Sequence, residues 1–295
     1  MSEPPAADRP AAPPASAAPP ASAAPPASAA PPASAAPDPI APRAERPGTV
    51  LLLGGTAEAR RLAGLLAARP GPRVVTSLAG RVARPVLPPG EVRVGGFGGP
   101  AGLAEWLRRE GVTAVVDATH PFAARITASA VAASAEVGVP LLVLRRPGWT
   151  AGPGDDWHRV PSLEAAVDPV AALGERVFLT IGRQGLAAFA GLDRPWFLVR
   201  AVDPPEPPLP SRAEVLLDRG PFTVDGELAL LRRYRIDLLV TKDSGGEMTA
   251  AKLVAARRLG LPVVVVDRPP LPAVPRVASV EAALAWLADR PDRAG

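Results

Sequence analysis

Several residue types that carry chemistry in other proteins are missing or scarce in this sequence of 295 residues. It contains no cysteine, which excludes disulfides, thiolate metal ligands and cysteine nucleophiles. The only histidines are His120 and His158, too few for the usual ligand sets of metal hydrolases, so we expect no metal site. No apolar run reaches the roughly 20 residues of a membrane-spanning helix, so we expect no membrane association.

Lysine and aromatic residues are also scarce. Lys242 and Lys252 are the only lysines, so arginine supplies nearly all of the positive charge behind the net charge of +4. Aromatic residues make up 4% of the chain and no basic block is interleaved with them, which gives nucleic-acid binding little support. Scattered arginines instead suit a small ligand that bears several carboxylates or phosphates.

Residues 1–47 consist mainly of alanine, proline and serine. Such a segment buries little apolar surface, so nothing offsets the entropy lost on ordering it. We predict a disordered, semi-extended leader that folding and activity do not need. It does not have the pattern of a signal peptide, because no cationic start leads into an apolar run.

Beyond the leader, short apolar segments alternate with helical segments rich in alanine, leucine and arginine. Thr49–Leu53 and Val112–Val116 are examples of the predicted strands, and Ala57–Ala68 is an example of the predicted helices. Continuously apolar strands that alternate with helices are typical of parallel sheets covered on both faces. The pattern stops at the glycines and prolines of Arg146–Pro161 and then restarts.

We therefore predict an α/β protein with two Rossmann-like domains, each built on a parallel sheet, and a cleft between them. Residues 48–147 form the expected nucleotide-binding domain, and residues 148–295 form the second domain. In folds of this class, ligands bind beyond the carboxyl ends of the strands. The residues that follow each predicted strand are consequently the candidate site residues.

The turn after the first predicted strand has the features of a phosphate-binding turn. Gly54, Gly55 and Thr56 lead into the helix, and Ala59 takes the last position of a Gly-x-Gly-x-x-Gly/Ala pattern whose middle glycine is replaced by Thr56. Glycines let a pyrophosphate approach the backbone, and the helix N-terminus offers free N–H groups. Thr56 can cap the helix or bind a phosphate oxygen. A plain tight turn between strand and helix is the alternative.

The end of the second predicted strand bears on the choice between NAD and NADP. An NAD-binding domain places an acidic residue about 20 residues after the glycine turn, where it holds the ribose 2′-hydroxyl. This sequence instead offers Ser77 and Arg81, which suit the 2′-phosphate of NADP. We hypothesise that both residues select NADPH, and a solvated loop arginine is the alternative.

A glycine-rich loop follows the third predicted strand. Four glycines surround one aromatic residue there, and we expect Gly96, Phe97 and Gly98 to lie against the cofactor. The alternative is a flexible loop that Phe97 plugs.

The loop after the fourth predicted strand contains Thr119 and His120 and would border the nicotinamide. We predict that Thr119 takes part in cofactor binding and catalysis. His120 is the candidate for a proton donor or a residue that orients the substrate. The alternative for His120 is that it only caps the following helix or packs against Phe122.

The second half of the chain offers cationic and polar residues at its predicted strand ends. We expect them to bind the substrate through charge and, at the glycine-containing turn, through backbone N–H groups. These candidates are Arg183, Gln184, Arg200, Arg219, Lys242, Ser244 and Gly245. Taken singly, each is more often a solvated or ion-paired residue.

The segments that carry these candidates resemble, in order, those of precorrin-6A reductases. They are Leu-Gly-Gly-Thr-x-Glu-Ala-Arg (53–60), Ser-Leu-Ala-Gly-Arg (77–81), Gly-Gly-Phe-Gly-Gly (95–99), Asp-Ala-Thr-His-Pro-Phe-Ala (117–123), Asp-Asp-Trp (155–157), Thr-Ile-Gly-Arg-Gln (180–184) and Lys-Asp-Ser-Gly-Gly (242–246). The resemblance spans essentially the whole chain and excludes only the leader.

The resemblance implies a cytoplasmic enzyme of cobalamin biosynthesis. It implies hydride transfer from NADPH to a double bond of the precorrin-6A macrocycle, which gives precorrin-6B. It also implies that NADPH binds the N-terminal domain and that the macrocycle binds in the interdomain cleft. We expect a monomer whose partners are this tetrapyrrole and, transiently, neighbouring enzymes of the pathway.

Three alternatives stay open at this point. A cobalt-precorrin-6A reductase performs the same chemistry on a metallated ring, and nothing in the sequence separates the two. A general NADP-dependent sugar or ketone reductase usually needs a tyrosine and a lysine at helical spacing, and the single tyrosine, Tyr234, has no lysine four residues later. The third alternative is a protein that binds NADPH or the ring without turnover.

Overall fold

The computed structural model describes residues 48–80 and 86–290. The predicted leader at 1–47 and the candidate residue Arg81 lie outside the described residues. Two parallel sheets form the described part of the chain, as the alternation of strands and helices predicts.

The first five strands of the chain belong to the first sheet. They are β1 (Thr49–Leu53), β2 (Arg73–Leu78), β3 (Glu91–Val94), β4 (Val112–Asp117) and β5 (Leu141–Leu144). Neighbouring strands are parallel, in the order β5-β4-β1-β2-β3. The chain places β2 and β3 on one side of β1, and then β4 and β5 on the other side. Where the strand order reverses in this way, a ligand crevice is expected, here at the carboxyl ends of β1 and β4.

Three helices connect these strands, namely α1 (Ala57–Ala67), α2 (Gly99–Arg109) and α3 (Ala124–Val137). Side chains of β1 point alternately to the two faces of the sheet. Leu52 packs with α1 on one face, and Leu51 packs with α2 and α3 on the other. Every residue of β1 is buried for this reason, and the turn that follows it is held on a rigid support.

The second sheet contains the next six strands. They are β6 (Asp156–Val160), β7 (Arg176–Thr180), β8 (Trp196–Ala201), β9 (Ala213–Leu217), β10 (Leu238–Lys242) and β11 (Pro262–Val266). Neighbouring strands are again parallel, in the order β6-β11-β10-β7-β8-β9. The carboxyl ends of β7 and β10 therefore form a second crevice of the same kind.

Helices cover both faces of the second sheet as well. They are α4 (Val167–Leu173), α5 (Val224–Arg233) and α6 (Ala251–Leu259), with short 3₁₀ helices at Leu186–Phe189 and Glu247–Thr249. Phe178 of β7 packs among residues of α5 and α6. Its neighbour Leu179 packs on the opposite face, with Val170 and Phe189. Within the described ranges, no helix has both the length and the apolar character needed to cross a membrane.

The strands that pair with β5 and β11 are exchanged between the two halves of the chain, because β6 follows β5 but pairs with β11, and β12 follows β11 but pairs with β5. The last strand of the chain, β12 (Arg276–Val277), pairs with β5 in the first sheet, and α7 (Val280–Ala288) packs against α1. Conversely, β6 follows β5 in the chain and completes the second sheet. The chain thus crosses between the sheets twice, between β5 and β6 and again between β11 and β12.

This exchange differs from the predicted division, which assigned all of residues 148–295 to the second domain. A strand of two residues leaves no readable period in the sequence, so β12 was missed. β6 falls inside the predicted break, because Asp156, His158 and Arg159 make this edge strand polar. β9 and α4 were missed too. β9 is another edge strand with exposed residues, and α4 has only seven residues.

Candidate active site

The turn between β1 and α1 has the geometry of a dinucleotide-binding turn. The Gly54 N–H donates to the Ser77 carbonyl, which fixes the turn against β2. Gly55 has φ of 115°, and a Cβ there would point into open space. The Thr56 hydroxyl accepts from the Ala59 N–H at 3.1 Å, so Thr56 is the N-cap of α1. The same hydroxyl donates to the Ala118 carbonyl at 2.8 Å and ties the turn to β4.

Ser77 is buried near the end of β2, where it pairs with Leu53 of β1 and with Arg93 of β3. β2 continues through Ser77 to Leu78. Ser77 therefore stands at the carboxyl edge, one strand away from the glycine turn. Its partner in the hypothesis of NADPH selection, Arg81, lies outside the described residues.

The glycine-rich loop after β3 is organised by Arg93. Its guanidinium donates to the carbonyls of Gly95 and Gly96, both at 2.6 Å, and stacks 3.8 Å from the centre of the Phe97 ring. The Phe97 ring also meets Trp106 edge-on, with ring centres 5.5 Å apart. Phe97 is thus held against the core, which is what the plug alternative describes. Gly96 and Gly98 remain exposed, with open space where a Cβ would stand.

Thr119 is held by the buried carboxylate of Asp117 at the end of β4. Its N–H and its hydroxyl both donate to Asp117 Oδ1, at 3.0 and 2.6 Å. The other carboxylate oxygen accepts from the Thr127 hydroxyl at 2.6 Å. Because the Thr119 hydroxyl proton is engaged, this side chain can offer a ligand only its oxygen lone pairs.

His120 forms one of the contacts between the loops of the two sheets. Its Nδ1 accepts a hydrogen bond from the Phe122 N–H at 3.2 Å. The ring proton of the neutral imidazole is therefore on Nε2, which donates to the Ser244 hydroxyl at 3.0 Å. Phe122 itself packs against the core of the second sheet. The loops after β4 and β10 meet here, so the two candidate crevices face a common space.

The surroundings of His120 disfavour its charged form. The side chain reaches solvent, but protein packed around the ring displaces much of the water there. This desolvation, together with the positive charges of Arg146, Lys242, Arg268 and Lys252, lowers the pKa of His120 to about 4. At neutral pH the ring is therefore uncharged, and an uncharged imidazole is not an effective proton donor.

Lys242, at the end of β10, brings a positive charge to the same space. Its Nζ lies 5.4 Å from the centre of the Phe122 ring. Partial burial lowers the pKa of Lys242 below its ordinary value. Among the described residues, no carboxylate lies within ion-pair distance of Lys242. This cation is consequently available to an anionic ligand.

Asp243 joins both chain crossovers to β10. Its buried carboxylate accepts from the Trp149 N–H of the first crossover at 2.9 Å and from Arg159 Nη2 of β6 at 2.9 Å. Its carbonyl accepts from Arg268 Nε of the second crossover at 2.7 Å. A Cβ on Gly148 would stand 2.7 Å from Asp243 Oδ2, so the first crossover passes too close for a side chain. Asp243 therefore holds the crossovers together beside the site.

Ser244 and Gly245 lie directly beyond Asp243. The Ser244 hydroxyl meets His120, and its carbonyl accepts from Arg146 Nε at 2.8 Å. Gly245 is buried, and a Cβ there would collide with the Pro147 carbonyl and the Arg268 guanidinium. Close packing therefore explains why this position is a glycine. The segment does not open α6 directly, because the 3₁₀ helix Glu247–Thr249 intervenes.

The remaining substrate candidates are distributed unevenly. Arg183 and Gln184 follow β7 at the carboxyl edge, next to β10. Arg219 is exposed beyond β9, the outermost strand. Arg200 differs from the prediction. It is 8% exposed, pairs with Glu227 at 2.6 Å and stacks on the Phe222 ring, so it faces α5 and not the cleft.

A cavity of about 1410 Å³ lies far from these residues. Val50, Val112 and Leu141 line it, and they stand at the amino ends of β1, β4 and β5. The glycine turn and His120 occupy the opposite, carboxyl edge of the same sheet. None of the candidate residues that the structure describes lines this cavity, and we assign no ligand to it.

Four residues at the carboxyl edges were missed by sequence reasoning as parts of the site, namely Glu58, Arg146, Asp243 and Arg268. Arg146 follows β5 by two residues and Arg268 follows β11 by two residues, so both begin a crossover. A charged residue just beyond an apolar strand was the available signal. What each side chain contacts depends on the pairing of the two sheets, which the sequence does not reveal.

The fold and the site are typical of a dinucleotide-dependent oxidoreductase with two α/β domains. A glycine turn capped by Thr56 lies at the carboxyl edge of one sheet, and a cationic loop lies at that of the other. The comparison with known proteins defines the class further. The chain belongs to the precorrin-6x reductase CbiJ/CobK family, whose model matches residues 49–288.

Individual relatives agree with this membership. A precorrin-6A reductase of Rhodococcus erythropolis is 56% identical over 239 residues, which is 81% of this chain and 96% of the relative. A cobalt-precorrin-6A reductase of Priestia megaterium is 31% identical over 232 residues, which is 75% of this chain and 90% of the relative. The solved structure named CobK precorrin-6A reductase superimposes with a TM-score of 0.78 at 49% identity. It matches over 84% of this chain and 100% of its own.

Proposed function

We propose that this protein reduces one double bond of the precorrin-6A macrocycle to give precorrin-6B, with NADPH as the hydride source, in the cytoplasm. The observation that carries the proposal is the contact between His120 and Ser244. It brings the carboxyl edges of both sheets to one space, with the dinucleotide turn on one side and Lys242 on the other.

The residues of the first sheet fit a dinucleotide. Gly55 leaves open space beside the N-terminus of α1, where backbone N–H groups and the helix dipole favour a pyrophosphate. The Thr56 side chain is occupied by its two hydrogen bonds, and the Gly54 N–H is bonded to the Ser77 carbonyl. The backbone N–H groups of Gly55 and Thr56 would therefore provide the phosphate contacts of this turn. Gly96 and Gly98 leave similar space beyond β3. When bound, NADPH would supply the hydride for the reduction.

The choice of NADPH over NADH rests on the end of β2. Ser77 stands there, no acidic residue follows it directly, and Arg81 comes four residues later. A serine hydroxyl and a guanidinium suit a ribose 2′-phosphate, whereas the free ribose hydroxyl of NADH usually meets a carboxylate.

Thr119 completes the cofactor side of the proposed site. Its hydroxyl donates to Asp117, so its oxygen is left as an acceptor. A carboxamide N–H of the nicotinamide ring is a suitable donor for such an acceptor. Thr119 would thereby orient the ring that carries the hydride, without entering the chemistry itself.

The substrate side rests on positive charge. A macrocycle with acetate and propionate groups requires cations that are not already neutralised. Lys242 meets this condition, and Arg183, Gln184, Ser244 and Arg219 extend the same edge. We leave Arg200 out of the proposal, because its charge is paired with Glu227 inside the domain.

We assign His120 an orienting role. The Nε2–H of the neutral ring donates to Ser244, which leaves the Ser244 hydroxyl proton free to point at the substrate. No imidazolium is present to donate a proton at neutral pH. The proton that accompanies the hydride would then come from the macrocycle or from water.

The metal-free macrocycle is favoured over its cobalt complex by degree of similarity. Identity is 56% to the Rhodococcus enzyme named precorrin-6A reductase and 31% to the Priestia enzyme named cobalt-precorrin-6A reductase. Both reactions use the same hydride chemistry, so the cobalt complex is the second candidate substrate.

The test is anaerobic oxidation of NADPH, followed by its absorbance, with precorrin-6A and separately with the cobalt complex. NADH in place of NADPH tests the cofactor. We expect turnover with NADPH and the metal-free ring. Turnover with the cobalt complex alone would move the assignment to the second candidate. NADPH binding without turnover on either ring would refute the proposal.

A Lys242→Gln variant in the same assay tests the substrate side. We expect the KM for the macrocycle to rise about tenfold, a factor that corresponds to about 1.4 kcal/mol, while the Kd for NADPH stays unchanged. Arg108→Gln is the matched control, because this exposed arginine of α2 pairs with Glu136 far from the carboxyl edge. An equal effect of both variants would contradict the role of Lys242.

A further inference from the structure

We propose that Arg146 is a positioning residue that couples the dinucleotide turn to the substrate-side loop. It does so by neutralising Glu58 at the start of α1 and by holding the carbonyl of Ser244 with the same guanidinium. The inference rests on the proposed function, since it assigns the turn to NADPH and the loop to the substrate.

Arg146 contacts both sides at once. Its Nη1 lies 2.6 Å from Glu58 Oε2, and its Nε donates to the Ser244 carbonyl at 2.8 Å. The Arg146 side chain is 16% exposed and that of Glu58 is 25% exposed, so the ion pair is only partly screened by water. Five N–H donors in a rigid plane allow arginine to serve two directions, which the single ammonium of lysine does poorly.

The backbone around Arg146 is fixed as well. Arg268 donates to the Arg146 carbonyl at 2.7 Å and to the Pro147 carbonyl at 3.0 Å. The Arg146 side chain lies against Gly246, where a Cβ would stand only 3.1 Å from its Cδ and Nε. Arg146 thus has little freedom to choose other partners, and a shift of the loop must move Glu58 or break a hydrogen bond.

These contacts close a ring around the proposed meeting point of cofactor and substrate. Arg146 joins Glu58 to Ser244, and the Ser244 hydroxyl meets His120. His120 follows Ala118 by two residues, and the Ala118 carbonyl accepts from Thr56 at the head of α1. The ring includes the cap of the turn and the loop of the second sheet, so a ligand that orders one part constrains the other.

The negative charge of Glu58 gives a reason for its ion pair with Arg146. Glu58 lies in the first turn of α1, where the helix dipole favours the negative charge of a ligand. An unpaired carboxylate there would repel the pyrophosphate of a dinucleotide. Arg146 neutralises Glu58 and directs it towards the crossover, so the N-terminus of α1 remains suitable for phosphate.

Three variants separate this role from simple stabilisation. Arg146→Gln leaves Glu58 unpaired and is expected to raise the Kd of NADPH about tenfold. The double variant Glu58→Gln/Arg146→Gln removes the repulsion and should bring the Kd back to within about threefold of the unchanged protein. Arg146→Lys keeps a charge beside Glu58 but not the second donor, so NADPH should bind almost normally.

The coupling itself is measured by hydrogen–deuterium exchange of the segment 242–246 with and without NADPH. We expect NADPH to slow exchange in the full-length protein and in an Arg108→Lys control, and to have little effect in Arg146→Lys. The KM of Arg146→Lys for precorrin-6A should rise about tenfold with a smaller change in kcat.

The outcomes are distinguishable from a failure of the proposed function. If the unchanged protein binds NADPH but reduces neither precorrin-6A nor its cobalt complex, the substrate assignment fails. Hydrogen–deuterium exchange still tests the coupling between the NADPH turn and segment 242–246 in that case. If NADPH slows exchange equally in the unchanged protein and in Arg146→Lys, the coupling is overturned. Failure of the double variant to restore NADPH affinity would overturn the charge argument.

Discussion

Replacement of Asp243 by asparagine tests whether this carboxylate holds the two crossovers together. Asparagine has nearly the same shape, so the change removes charge and turns one acceptor into a donor. Asp243 is 5% exposed, accepts from the Trp149 N–H and lies 2.9 Å from Arg159 Nη2. In the variant, an amide N–H faces Arg159, and Arg268, whose Nε is 3.9 Å from the carboxylate, loses a nearby negative charge.

The magnitude follows from these contacts. A hydrogen bond to a charged group contributes about 1.5–3 kcal/mol, and breaking a buried ion pair costs about 3–5 kcal/mol. Arg159 keeps its second partner, Asp267, at 2.6 Å, which reduces the loss. We expect Asp243→Asn to lower the free energy of unfolding by about 3 kcal/mol. For a chain of this size, that corresponds to a fall in Tm of about 6–12 °C.

Calorimetry is the suitable assay, because a protein with two sheets can unfold in more than one step and calorimetry reports each step. Asp156→Asn is the matched control. This carboxylate is on β6, the strand that carries Arg159, but its side chain is 63% exposed and pairs with His158. We expect the control to change stability by less than about 0.5 kcal/mol. If both variants shift Tm by the same small amount, the reasoning about Asp243 is refuted.

Two further predictions concern pH. Burial lowers the pKa of Lys252 from its ordinary value of 10.5 to about 7. Between pH 7 and pH 10.5, the unfolded chain therefore holds a proton that the folded chain has lost, and the free energy of unfolding rises with pH. In urea unfolding, Lys252→Met should be more stable than the unchanged protein at pH 7, by on the order of 4 kcal/mol, and this difference should vanish towards pH 10.5. A difference that does not change with pH would contradict this. The pKa of His120 is lowered to about 4, so stability should fall as pH drops from about 6.5 to 4, less so in His120→Asn. Because the ring reaches solvent, this effect is small, and an equal decline in both proteins would speak against it.

The sequence predicts well those parts of the fold that depend on a local pattern of residues. Thr49–Leu53 is a strand with the predicted bounds, because its five residues are buried and four of them are apolar. The turn at Gly54 and Gly55 and the cap at Thr56 follow from local backbone chemistry. Lys242 and Ser244 reach the common space because they lie at and just beyond the carboxyl end of β10, which was predictable.

What the sequence could not supply depends on contacts between distant segments. Arg200 and Lys242 both lie at the carboxyl end of an apolar strand, yet Arg200 is buried against Glu227 and Lys242 reaches the cleft. The difference is which face of its sheet each residue occupies, and one residue of register decides that face. The neutral state of His120 depends on charges from the other sheet, which no local pattern contains.

The exchange of β6 and β12 gives a physical reason for the position of the site. Because the chain crosses twice, the two sheets cannot separate as freely as domains joined by one linker, and motion is limited to bending at the two crossovers. Both crossovers begin at carboxyl edges, where Arg146 and Arg268 meet the loop from Asp243 to Gly246. A ligand held between the sheets therefore contacts the same segments that determine how the sheets sit together. Binding and closure are expected to be linked in this protein for that reason, and the linkage should weaken when either crossover is loosened.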